Sequence, residues 1–230
     1  MAFVLPVPDP VTVPVAGTDD LFPVRRIFCV GRNYEAHARE MGLTEREPPF
    51  FFAKFADAIR PNGSVLPYPP LTEDFHHEGE LVVAIGKGGR DIAAADALAH
   101  VFGYAAGLDM TRRDVQWAAK KAGKPWDMGK NFPGAAPIST IHPIAQTGPL
   151  ERGALVLTVN GTVRQQGDLA DMIWSIPETI AHLSRYGALE AGDLIFTGTP
   201  AGVGPVLPGD RIDLRIDGLT PLTVVIGPAD

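Results

Sequence analysis

The chain has 230 residues, 45% of them hydrophobic and 20% charged, with a formal net charge of −7 at pH 7. That length accommodates one large domain with a substantial core, and the acidic balance excludes a nucleic-acid-binding surface as the main business while leaving room for a small anionic substrate in a local cationic pocket. A single cysteine, Cys29, rules out an intrachain disulfide, and no apolar run approaches the roughly 20 residues of a membrane span. The first residues, MAFVLPVPDPVTVPVAG, lack a basic leader and are broken by prolines, so the expectation is a cytoplasmic protein with neither a membrane nor a nucleic-acid partner. The 25 glycines and 22 prolines imply many turns, which suits a β-rich fold better than a helical bundle.

In chain order, residues 1–22 read as an extended, proline-punctuated segment with a strand or two on an edge. Arg26–Val30 reads as a buried strand ending at Gly31, with Cys29 as a small core residue. Asn33 is placed to cap a short helix that stops at Gly42. On it His37 and Glu40 share a face, either as a surface pair worth a few tenths of a kcal/mol or as a general base held in its working tautomer by a carboxylate. FFFAK (50–54) reads as an aromatic strand covered on both faces. Asn62-Gly63 reads as a tight turn.

The stretch His76-His77-Glu78-Gly79-Glu80-Leu81-Val82-Val83-Ala84-Ile85 ends in an apolar, partly β-branched run, a buried strand. On a strand Glu78 and Glu80 project from one face. They either lie on a solvated strand end or share a hard divalent cation. Asp91–Ala106 is alanine-rich at helical spacing over its first part, whereas its end reads equally as a strand through Gly103 and Gly107. Thr111 is expected to cap a helix over Arg112–Ala122 that stops at Gly123, and Lys124–Phe132 is expected to form a pocket-lining loop. ALVLTVNGTVRQ (154–165) reads as a hairpin around Asn160-Gly161, and Ser175–Glu178 as a capping box opening a helix to Tyr186. A further buried strand, DLIFT, runs into the glycine-rich Gly198–Gly204, which lacks the ending of a nucleotide-binding P-loop. Residues 211–216 and 222–226 close the chain as an antiparallel pair.

Two glutamates on one strand face need a third oxygen ligand, and Asp109, in the turn before the Thr111 helix, is the best candidate. An all-carboxylate set suits Mg²⁺, Mn²⁺ or Ca²⁺ and not Zn²⁺. His76 shares the strand parity and is assigned a supporting position.

The segments CVGRNYEAHAREMG, FFFAKFADAI, HHEGELVVAIGKGG, VFGYAAGLDMTRRDVQ, GKNF, LTVNGTVRQ and DLIFTGTPAGVGPV occur in order over about residues 24–215. Together they resemble the fumarylacetoacetate hydrolase family, in its acylpyruvate-hydrolase branch. The resemblance implies an α+β, β-rich fold, a mixed β-roll or sandwich with a few short helices. It also implies a catalytic domain over 23–230 after the 1–22 segment, and a homodimer. It implies that Glu78, Glu80 and Asp109 bind Mg²⁺ (or Mn²⁺), that His37 and Glu40 form a dyad on a helix closing over the site, and that Lys130 contacts the substrate. Arg113 and Gln116 correspond to polar residues lining the site, and Thr199 to a threonine meeting the substrate carboxylate. Arg32, beside that helix, is assigned to a distal carboxylate. The activity implied is metal-dependent cleavage of a carbon–carbon bond in a 2,4-dioxo acid, with fumarylpyruvate, the substrate of the last step of gentisate breakdown, as the best match. The alternatives are oxaloacetate decarboxylation, an oxo-acid isomerase or hydratase, and a binding module in which the metal only holds the fold. Phe55 and Asn131 depart from the family pattern, where proline and a small residue are usual.

Overall fold

The apolar run after Glu80 forms the middle of the molecule. In the computed structural model, which describes residues 3–34 and 47–229, Gly79–Ile85 is a strand buried at every position, and such a run requires cover on both faces. It lies inside a mixed eight-stranded sheet. The order is Phe50–Lys54, Ile27–Gly31, Leu194–Phe196, Gly79–Ile85, Val101–Leu108, Ala136–Ile138 and Ile59–Pro61, with His142–Pro143 also paired to Val101–Leu108. Most neighbours are antiparallel; Leu194–Phe196 runs parallel to Ile27–Gly31, and Ala136–Ile138 to Ile59–Pro61.

A second sheet of five strands covers one face, in the order Thr162–Asp168, Ala154–Val159, Arg211–Ile216, Leu222–Ala229, Val65–Tyr68. Its strands alternate buried and open positions, as a sheet with one face in the core must. Leu155, Leu157, Ile212 and Leu214 are fully buried on that face, each contributing roughly 2 kcal/mol. Gly79 has no side chain because a Cβ there would come within 2.9 Å of Leu214 and 3.0 Å of Leu157. The second sheet therefore presses directly on the point between Glu78 and Glu80.

Local signals in the sequence account for several elements. Asn160 and Gly161 both take positive φ, 52° and 76°, as a type I′ hairpin turn demands, and the strands on either side pair as expected. Ser175 and Glu178 form the capping box of the Ile176–Tyr186 helix, whose Ile176, Ile180 and Leu183 are buried. Thr12–Pro14 and Leu21–Pro23 make a small antiparallel pair, held to the body by Phe22, whose ring lies 5.3 Å from that of Phe102.

One open reading is decided and one expectation is corrected. Residues 94–100 are a 3-10 helix and Val101–Leu108 is a strand, the second of the two readings its sequence allowed. The ladder to Gly79–Ile85 runs along that whole strand and overrides alanine's helical preference. Thr111 does not cap its helix: it pairs with His76 in a short strand and its hydroxyl donates to the Asp109 carbonyl, while the helix spans Arg113–Lys121. The Asn33 side chain donates to the Trp174 and Thr197 carbonyls and accepts from the Trp174 amide. The helix expected after it, with His37 and Glu40, lies outside the described residues.

Candidate active site

The acidic strand is interrupted at Glu78. Phe75–His77 is one strand and Gly79–Ile85 the next. The ladder pairs Gly79 with Leu108 and Glu80 with Gly107, and continues through a hydrogen bond from the Asp109 amide to the Glu78 carbonyl at 2.9 Å. Register therefore sets Asp109 directly across from Glu78, with Glu80 two residues along on the same face. Carboxylate oxygens of all three lie within 4.8 Å of one another, and all three residues are buried.

Three buried acids this close demand countercharge. Lys130 Nζ donates to Glu78 Oε2 at 2.6 Å and Asp109 Oδ2 at 2.8 Å. Arg113 donates to Glu78 Oε1 and, through its other nitrogen, to Gln116 Oε1 at 2.6 Å. Lys54, a residue the sequence reading did not single out, sits with its Nζ 2.8 Å from Asp109 Oδ1 and donates to the carbonyls of Met110 and Lys130. A lysine on a strand of phenylalanines, on the parity of Phe50 and Phe52, is the signal that could have flagged it.

Glu80 differs from its neighbours. No lysine or arginine among the described residues forms an ion pair with it; its Oε2 accepts only the Gly198 amide, at 2.8 Å. Burial first, then the charges of Asp109 and Glu78, push its carboxyl well above the ordinary range. Burial would also raise Glu78, but Lys130 and Arg113 outweigh it and hold that carboxyl well below the usual range. Burial would lower the Lys130 ammonium, yet Asp109 and Glu78 raise it above normal. An all-oxygen donor set with one buried carboxylate still lacking a cation fits a hard divalent metal.

The glycine-rich loop after Phe196 closes one side. Gly198 takes φ +94° with Asn33 packed against it, and this left-handed turn aims its amide at Glu80. The next residue, Thr199, donates its hydroxyl proton to the Gly79 carbonyl and accepts from Gln165 Nε2, both at 2.8 Å. Its backbone amide donates to nothing among the described residues. Gln165 also donates to the Pro200 carbonyl at 2.9 Å, and its Oε1 accepts from the Gly79 amide at 2.9 Å and from His77 Nδ1 at 3.2 Å. This fully buried glutamine ties the loop to the acidic strand. The sequence contained it only as the end of the LTVNGTVRQ segment; nothing in the polarity pattern marked it.

Glu78, Glu80, Asp109, Lys130, Arg113, Gln116, Thr199 and Arg32 all line one cavity of about 300 Å³. Phe50, Phe52, Trp126, Trp117 and Lys120 supply the rest of its outer wall. His76 stands apart, bonded to Asp74 at 2.8 Å. Phe55 and Asn131, the two departures from the family pattern, bond to each other, the Phe55 amide donating to Asn131 Oδ1 at 3.0 Å, and neither lines the cavity.

A β-rich fold of this kind with an acidic triad beneath a small cavity defines a class. The chain matches the family model "Fumarylacetoacetate (FAA) hydrolase C-terminal" over residues 26–226, and it belongs to that family. Among relatives, it is 44% identical over 184 residues to a fumarylpyruvate hydrolase of Ralstonia sp, covering 80% of this chain and 95% of that one. It is also 44% identical over 199 residues to the human oxaloacetate tautomerase FAHD1, mitochondrial, covering 86% and 90%. Among solved structures, the fumarylpyruvate hydrolase from Pseudomonas aeruginosa in complex with Mn²⁺ and pyruvate superposes with a TM-score of 0.97 at 50% identity, over 99% of this chain and 100% of that one. No helix among the described residues is long and apolar enough to cross a membrane.

Proposed function

We propose that this enzyme hydrolyses acylpyruvates, with fumarylpyruvate, split to fumarate and pyruvate, as the substrate. The observation that carries the reading is the buried triad of Glu78, Glu80 and Asp109, short of one cation, at the base of a cavity whose inner cations are already paired to it. The likeness to a fumarylpyruvate hydrolase seen with Mn²⁺ and pyruvate supports it.

Glu78, Glu80 and Asp109 would hold the metal, Mg²⁺ or Mn²⁺. When bound, the cation supplies Lewis-acid polarisation of the oxygens of a pyruvoyl group. The remaining work belongs to side chains of this chain. The Thr199 amide and the Arg113 guanidinium orient the pyruvoyl end. His37, oriented by Glu40, takes a proton from water as the water oxygen adds to the distal carbonyl carbon. The bond between that carbon and the pyruvoyl methylene then breaks, its electron pair passing into the pyruvate unit, which takes up a proton. The water oxygen remains in the released acid. Lys130 offsets the negative charge that builds on the pyruvate side. The enzyme is expected to act as a homodimer.

A second reading, oxaloacetate tautomerisation, has support of its own in the equally similar human relative. It uses the same pyruvoyl-binding floor but no water. The test is to strip the protein with chelator, restore Mn²⁺ or Mg²⁺, and follow fumarylpyruvate, acetylpyruvate and the enol–keto conversion of oxaloacetate in parallel. Metal-dependent loss of fumarylpyruvate with formation of fumarate is expected. Rapid oxaloacetate tautomerisation without acylpyruvate cleavage would replace the hydrolase reading.

A further inference from the structure

One face of a single helix lines the cavity from floor to mouth. Arg113, Gln116, Trp117 and Lys120 all border it, and they fall at i, i+3, i+4 and i+7 of the Arg113–Lys121 helix, the spacing of one helical stripe. Arg113 grips Glu78 at the inner end. With about 1.5 Å of rise per residue, Lys120 sits roughly 10 Å further along the axis.

Among the described residues, the outer end carries positive charge with no acid paired to it. Among the described residues, the carboxylates lining the cavity are the three on its floor, of which Glu78 and Asp109 face Lys130, Arg113 and Lys54. At the mouth, Lys120 Nζ rests 4.6 Å from the Trp117 ring centroid and the Arg32 guanidinium lies 5.6 Å from that of Phe50. Among the described residues neither forms an ion pair. Arg32 is held in the left-handed region, φ 57°, a conformation that costs a non-glycine residue energy and is kept where surroundings impose it. The two cations also sense each other: after partial burial, the Arg32 charge is what lowers the Lys120 ammonium.

We infer that Lys120, together with Arg32, forms an anion subsite that selects substrates bearing a second carboxylate at the end away from the pyruvoyl group. The helix acts as the ruler between the two ends. An extended dioxo acid with a terminal carboxylate spans the distance, an acylpyruvate with a methyl terminus leaves the outer cations unmatched, and oxaloacetate is too short to reach them. This inference rests on the acylpyruvate reading above and specifies its substrate class.

The test uses the Mn²⁺-loaded enzyme with Lys120→Met and Lys120→Arg, comparing kcat/KM on fumarylpyruvate and on acetylpyruvate. Lys120→Met should lower the fumarylpyruvate-to-acetylpyruvate ratio by about tenfold, mostly through KM because the lost contact exists before and during reaction alike, and Lys120→Arg should restore most of it. An unchanged ratio, whether both substrates suffer equally or neither does, overturns the subsite. If the wild type cleaves neither compound, the hydrolase reading has failed. Calorimetric binding of the same two compounds then decides the subsite separately: selective weakening of the dicarboxylate by Lys120→Met upholds it, and equal affinities overturn it.

Discussion

The floor and the mouth of the cavity are built on opposite terms. On the floor, Glu80, Asp109, Lys54 and Lys130 are each at most 3% exposed, acids and bases interlock, and both strands and the Gly198 loop are pinned by backbone bonds. At the mouth, Trp117 is 48% exposed, the cations rest on ring faces, and no acid among the described residues pairs with them. A buried, interlocked cluster costs several kcal/mol to disturb, so it fixes the geometry of the floor. An open pair of cations is inexpensive to alter and therefore tunes which substrate is held.

The sharpest way to break this contrast is at Glu80. Glu80→Gln keeps an acceptor for the Gly198 amide but removes one carboxylate from the triad. Loss of partners one layer out from a metal typically costs 10- to 100-fold in affinity, so loss of a ligand itself should weaken Mn²⁺ binding by at least about 100-fold and abolish activity. Stability of the metal-free protein should move the other way. Burial and two neighbouring acids already disfavour the charged Glu80, and a neutral glutamine relieves that. Mn²⁺ titration and denaturant unfolding read the two effects. Equal Mn²⁺ affinity in Glu80→Gln and wild type would remove the metal from the floor. Lys120→Met, at the mouth, should leave Mn²⁺ affinity unchanged.

A smaller effect is expected one layer beneath the floor. Gln165→Leu strands the Gly79 amide, the Pro200 carbonyl and His77 Nδ1 in a dry interior. Each orphaned group costs about 1–3 kcal/mol, and a loss on the order of 4 kcal/mol in unfolding free energy is expected. Because Gln165 also holds Thr199, kcat should fall even in the fraction that stays folded. Full kcat with reduced stability would restrict Gln165 to a purely structural part.

Much of the floor was legible because its cause is local. Alternation along a strand puts Glu78 and Glu80 on one side, and a glycine-rich turn before a helix places an acid next in line. Asn160-Gly161 and Ser175–Glu178 carry their geometry in adjacent residues. Less legible were groups whose partners come from distant sequence. Gln165 meets Gly79 and Thr199 across the sheets, Lys54 meets Asp109 from the far edge strand, and Asn33 meets Trp174 and Thr197. Val101–Leu108 stayed open between helix and strand for a related reason: alanine content favours a helix, but the strand it must pair with is fixed elsewhere. The roles proposed for His37 and Glu40 come from the sequence likeness, and both lie outside the described residues.

The mildest perturbation is a change of pH, and it acts through His77, behind the acidic strand. His77 is 1% exposed, and burial lowers its pKa from 6.5 to about 4, against the Gln165 bond, which raises it. Since Gln165 Oε1 can only accept, the neutral ring carries its proton on Nδ1. Between pH 4 and 6.5 the unfolded chain binds this proton and the native one does not, so stability rises with pH across that window. The contribution is complete above about 6.5 and is lost as pH falls toward 4. At 1.36 kcal/mol per unit, it amounts to about 3 kcal/mol over the window. Carboxylates titrate over the same range, so the check is a difference. In His77→Gln, unfolding free energy measured from pH 7 to 4.5 should fall less steeply than in the wild type, by up to about 1.4 kcal/mol per pH unit. Parallel curves would mean that His77 is charged in the native state, and the hydrogen-bonded layer beneath the floor would then have to hold a cation it is not built to hold.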